Sequence, residues 1–254
     1  METAVTETPV IDFHSHMGAW GRHGMDDDVS LVLRVMDAAG IDRACINTVH
    51  FGDPKEGNDR IARRVSLWPD RFIGAAFITP HYPDEMIPEL ERAFDHLGLR
   101  FLKIYPTYVR RAHDDPVYFP VLEWANDRSL VVMSHAKFRF DDESVTIPGR
   151  YEFLVKRFPR VRWVLAHAAG GINQEAVDAA RQLPNLYLET CSSGLANGAI
   201  EFAVQGAGED RVLFGTDMPL LDGVQQLAKV VTAQISEQAK RKILGLNAIR
   251  LLEL

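Results

Sequence analysis

His14 and His16 stand on either side of Ser15 in the segment IDFHSH, and the two-residue period of an extended chain points both imidazoles to the same side. Further along, His135 closes VVMSH, His167 closes WVLAH, and Asp217 lies in FGTDMPL. Three of these four imidazoles, kept neutral, and the one carboxylate make a donor set suited to one divalent cation. Zinc fits ahead of manganese or iron, and one coordination position stays open for water or substrate. Such a cation lowers the pKa of bound water toward neutrality or polarises a carbonyl. A single histidine at a strand end is more often a hydrogen-bonded structural residue than a ligand, so the argument rests on the whole set.

The set converges only if the elements around it are arranged to bring it together. Short β-type runs at 9–13, 43–49, 71–77, 99–105, 130–134, 161–166, 186–190 and 211–215 alternate with helical stretches. The first helical stretch, 28–39, carries Val29, Val32, Leu33 and Met36 at three- and four-residue steps and is stopped by Gly40. Further helices are expected over 84–96, 117–127, 150–158, 172–182 and 197–206, and around 224–234 and 237–244. Strands that are nearly continuous in apolar residues, joined by helices, describe a parallel sheet buried on both faces. Eight such units favour closure into a (β/α)8 TIM barrel over an open doubly wound sheet. In a barrel every strand's C-terminal end faces one mouth, where His14, His16, His135, His167 and Asp217 would meet. One domain spanning 1–254 is expected, with the C-terminal helices packed on the barrel so that Ile249, Leu251, Leu252 and Leu254 are buried.

The chain has 254 residues and a formal net charge of −7, a field that repels phosphate backbones and anionic lipid, so neither nucleic acid nor membrane is an expected partner. The expected partner is a small-molecule substrate, and a homodimer is the default association. Cys45 and Cys191 are too few for a disulfide framework and form no CxxC pair. METAVTETPV does not read as a signal peptide, and no apolar run reaches membrane-spanning length, so a cytoplasmic location is expected.

The pieces IDFHSH, GLRFLKIYP, VVMSHA, WVLAHAAG, LFGTDMP and ILGLNAIRLL, in this order, resemble the amidohydrolase superfamily. Within it they are similar to the amidohydrolase-related branch that includes aminocarboxymuconate semialdehyde decarboxylases. The resemblance implies a metal held by His14, His16, His135 and Asp217, with His167 as a proton carrier beside it or a further ligand. In hydrolytic members the strand-eight aspartate also takes a proton from the metal-bound water, so Asp217 would have two roles. Lys103 falls where some members carry a carboxylated lysine bridging two metals, but a single metal is expected here. The chain is shorter than many decarboxylases of the branch, and Lys137 stands where a small residue is expected.

Residues beside the mouth are candidates for substrate contact. Arg22, in the loop GAWGRHG, could clamp a carboxylate, for which a guanidinium fork is suited, with His23 and Trp20 alongside. His50 and Tyr105 follow strands two and four, and Lys137 with Arg139 could place positive charge beside the metal. Glu189 is a candidate to orient a ligand histidine, and Cys191 reads as an inert or packing thiol.

Two reactions suit this set. In one, metal-activated water attacks a small amide, lactone or ester, with Asp217 and His167 as the catalytic pair. In the other, an unsaturated or aromatic carboxylic acid loses carbon dioxide without oxidation, with His167 or Asp217 managing the proton at carbon. Hydrolysis is preferred, because the set contains both a water activator and a base and because the chain is compact. A non-catalytic small-molecule-binding barrel is the third reading.

Overall fold

A computed structural model describes residues 8–18, 28–48, 52–135, 150–169, 171–192, 194 and 196–254. Eight strands occur in chain order: β1 (Ile11–Met17), β2 (Arg43–Thr48), β3 (Phe72–Phe77), β4 (Phe101–Ile104), β5 (Val131–His135), β6 (Arg162–Ala166), β7 (Leu186–Glu189) and β8 (Val212–Leu213). All neighbours pair in parallel, and the order in the sheet is the order in the sequence. The two ends of the sheet are brought together beyond β8. There Phe13 N–H donates to Phe214 O at 2.9 Å, Asp217 N–H to His14 O at 2.7 Å, and His16 N–H to Met218 O at 2.8 Å. The result is the expected (β/α)8 barrel.

The period-two alternation of the strands divides the core in two. Ile11 and Phe13, Ile73 and Ala75, Val131 and Met133, and Val164 and Ala166 share one cluster with Ala248, Leu251 and Leu252 of the C-terminal helix. This is the barrel interior. The intervening residues, among them Phe72, Ala76, Val132, Trp163 and Leu165, pack instead with the surrounding helices. Helix Val29–Ala39 is one of these; Asp28 caps it by accepting from Ser30 N–H, and Gly40 ends it. Its buried residues are Val32, Met36 and Ala39.

Four expectations need correction. The first strand does not stop at residue 13 but runs through Met17, because His14, Ser15 and His16 are buried and the chain stays paired with β2 up to Thr48. The eighth strand's ladder covers only Val212–Leu213, after which the chain turns to β1 for its partners. Leu254 remains 40% exposed, whereas Leu251 and Leu252 are buried. The stretch 84–96 also winds less regularly than a single helix, passing from Met86–Glu91 into a π-helical turn over Arg92–His96.

Candidate metal and active site

The residues at the C-terminal ends of the strands form one buried polar cluster. His14 and His16, both on β1, have ring centroids 5.0 Å apart. His14 is fixed at both nitrogens: Nδ1 donates to Glu189 Oε2 at 2.8 Å, and Lys103 Nζ donates to Nε2 at 2.9 Å. His16 Nε2 lies 2.8 Å from Asp217 Oδ1, and the same oxygen is 3.7 Å from His14 Nε2. The His167 ring packs 4.9 Å from that of His14 and 5.0 Å from that of His135. Half-buried Tyr108 presents its ring 4.6 Å from His135.

The backbone that positions these side chains is itself anchored. Asp12 accepts from His14 N–H and from Thr216 N–H, each at 2.9 Å, and its other oxygen takes the hydroxyls of Ser15 and Thr216. One buried carboxylate thus joins β1 to the segment that carries Asp217. Glu189 lies against Gly215 so closely that any Cβ at 215 would collide with its carboxylate. His167 and Asp217 both adopt left-handed conformations, with φ of 58° and 61°. Such backbones cost a non-glycine residue of order 1–3 kcal/mol and concentrate at functional sites.

The electrostatics follow from burial and from close pairing. Burial holds His14 and His135 well below the ordinary histidine value, and neighbouring Lys103 and the other imidazoles add to it. His167 is lowered for the same first reason, against the pull of Asp217 and Glu189. Burial draws Lys103 down to about 8, opposed by Asp217 and Glu189. Burial would raise the Asp217 carboxyl, but the His16 hydrogen bond and the surrounding histidines overcome it and hold it well below the usual carboxylate range. The cluster therefore presents the neutral imidazoles of His14, His135 and His167 beside an ionised carboxylate, as metal ligation requires.

Donor atoms of His14, His16 and Asp217 lie within 4.8 Å of one another. His135 Nε2 is buried and has no hydrogen-bond partner among the described residues. An orphaned buried imidazole nitrogen is costly unless a ligand engages it. These observations fit one divalent metal. A second group of donors, from His14, His167, Glu189 and Cys191, also lies within 4.8 Å, but its members are hydrogen-bonded to one another.

Of the residues singled out for ligation and catalysis, His14, His16, His135, His167 and Asp217 are therefore found together. Tyr105 is buried beneath them, its hydroxyl 3.2 Å from Thr48 O and 3.5 Å from His16 Nδ1. Arg22, His50 and Lys137, like Trp20, His23 and Arg139, lie outside the described residues. Glu189 orients His14, and Cys191, read from sequence as inert packing, reaches both His14 and His167. Nothing local in the sequence announces that last contact, since the partners are 177 and 24 residues away.

Comparison with known proteins adds the family. The family model described as Amidohydrolase matches residues 11–254. A 2-amino-3-carboxymuconate-6-semialdehyde decarboxylase of Dictyostelium discoideum is 26% identical over 234 residues, covering 78% of this chain. The chain spans 65% of the length of that relative. The crystal structure of 5-carboxyvanillate decarboxylase LigW from Sphingomonas paucimobilis superposes with a TM-score of 0.78 at 19% identity, covering 98% of this chain and 100% of that one. A dihydroxybenzoic acid decarboxylase from Polaromonas sp. JS666, with bound manganese and the inhibitor 2-nitroresorcinol, gives 0.76 at 18% identity, covering 97% of each chain.

The preference for hydrolysis is overturned by these relatives, which are decarboxylases. Three imidazoles and a carboxylate do not by themselves select water over carbon dioxide chemistry.

Proposed function

Because the chain belongs to the amidohydrolase family, we propose that it is a metal-dependent decarboxylase that removes carbon dioxide, without oxidation, from an unsaturated or aromatic carboxylic acid. The observation that carries this reading is the likeness to a decarboxylase over 78% of this chain, and the geometry agrees with it: ionised Asp217 lies against His16, and the His167 ring packs on both His14 and His135. His14, His16, His135 and Asp217 would hold the metal. Their donor set accommodates zinc and equally the manganese of the Polaromonas relative. When bound, the cation supplies a Lewis acid that anchors and polarises the substrate's oxygens.

The protein's own groups do the rest. Glu189 keeps His14 in the orientation that turns Nε2 toward the cluster, where a metal would take the place of the Lys103 hydrogen bond in a carboxylate–histidine–metal arrangement. Tyr108 offers an aromatic edge beside the site for a flat substrate. His167, neutral and adjacent, takes a proton from solvent and adds it to the carbon that bears the carboxylate. The carbon–carbon bond then breaks, its electron pair restores the unsaturated system, and carbon dioxide leaves.

The test is a panel of aromatic and unsaturated carboxylic acids, with lactones and amides as controls, presented to the metal-loaded protein in heavy water. Carbon dioxide release with one deuterium at the vacated carbon supports the reading. Turnover of the lactones or amides alone, with water incorporated, overturns it.

A further inference from the structure

Cys191 follows β7 and is fully buried, with Sγ 3.0 Å from Glu189 Oε2, 3.1 Å from His167 Nδ1 and 3.2 Å from His14 Nδ1. A thiol has one proton to donate and lone pairs with which to accept, so these approaches cannot all be of one kind. Glu189 accepts throughout: Oε1 takes Cys191's own N–H, while Oε2 takes His14 Nδ1–H and the main-chain N–H of His167. An S–H bond to a carboxylate is charge-assisted, and stronger than one to a neutral imidazole nitrogen. Cys191 Sγ is accordingly the donor to Glu189 Oε2, at 3.0 Å, which places its proton on that side of the sulfur. Once that proton points at Glu189, the sulfur faces His167 Nδ1 only as an acceptor.

We infer that Cys191 is a positioning residue: its sulfur accepts from His167 Nδ1–H and holds the neutral ring in the tautomer whose lone pair is on Nε2. The left-handed backbone and the N–H bond to Glu189 set where the His167 main chain lies, and the sulfur sets which ring nitrogen carries hydrogen. Nε2 is then the atom that takes up and returns the proton. That catalytic consequence rests on the decarboxylase reading above, whereas the tautomer does not.

The experiment uses the full chain labelled with ¹⁵N-histidine and loaded with zinc, with the His167 signals assigned by their loss in His167→Gln. Wild type is expected to show a protonated Nδ1 and an unprotonated Nε2. Cys191→Ser, whose hydroxyl can also donate to Glu189 and accept from His167, keeps this pattern. Cys191→Ala shifts the ring toward Nε2–H and lowers kcat by about tenfold to a hundredfold, with KM within about twofold. Nε2–H in the wild type overturns the inference without recourse to any variant, and so does a Cys191→Ala protein whose His167 tautomer is unchanged. A tautomer shift in Cys191→Ala beside a wild type that releases no carbon dioxide would uphold the role of the thiol and sink the decarboxylase reading instead.

Discussion

Nδ1 of His14 lies 2.8 Å from Oε2 of Glu189, joining β1 to the end of β7 across 175 residues of sequence. The bond commits His14 to presenting Nε2 to the cluster. Glu189→Gln keeps the size of the side chain but removes its charge. It is expected to weaken zinc binding about tenfold to a hundredfold, measured by competition with a chromophoric chelator, with far-UV circular dichroism unchanged. Equal affinity in the two proteins would dismiss Glu189 as the orienting group.

His135 makes the opposite kind of prediction, because its Nε2 has no partner among the described residues. His135→Leu removes an unsatisfied buried nitrogen, so the chelator-treated protein should unfold at the same denaturant concentration or a higher one, by up to about 1–3 kcal/mol. Metal stoichiometry, measured by elemental analysis after dialysis, should fall. A variant that keeps its metal would remove His135 from the ligand set.

Stability of the chelator-treated protein should decline as pH falls below about 6.5. His14, His135 and His167 are buried with their values lowered, so the unfolded chain takes up protons there that the folded chain refuses. Asp12 acts in the opposite sense: burial pushes its carboxyl up to about 7, and the folded chain keeps a proton that the unfolded chain releases. The histidines outnumber it, and each net proton contributes up to about 1.4 kcal/mol per pH unit. Urea melts at pH 7 and pH 5 measure the balance; a higher midpoint at pH 5 would contradict it.

Gly245 tests the packing at the other end of the barrel. A Cβ there would strike the carbonyl oxygen of Pro9, just ahead of β1. Gly245→Ala should therefore lose about 1–3 kcal/mol in thermal or urea unfolding, without change in the affinity for zinc. An unaltered midpoint would mean that the C-terminal turn yields at no cost.

The strands were legible because apolar runs of the right length, separated by helical periodicity, admit few other arrangements. The convergence of His14, His16, His135, His167 and Asp217 was legible for the same reason: strand ends in a parallel barrel share a mouth. The extent of β1 was not, since polar residues such as His14, Ser15 and His16 look like the end of a strand until Asp12, Thr216 and Met218 are seen to satisfy them. The contacts of Cys191 were not legible, because its neighbours come from β1, β7 and the residue after β6. Lys103 could be placed on β4, but not against His14 Nε2.

Asp217 N–H donates to His14 O in the same run of bonds that draws the end of the sheet back to β1. During synthesis the histidine pair emerges first and waits two hundred residues for its carboxylate. His135 and His167 follow in turn, so the carboxylate is the last of the cluster to be made, and it meets His16 only when the last strand finds the first. The contact that completes the donor cluster is therefore made by the same segment that closes the barrel.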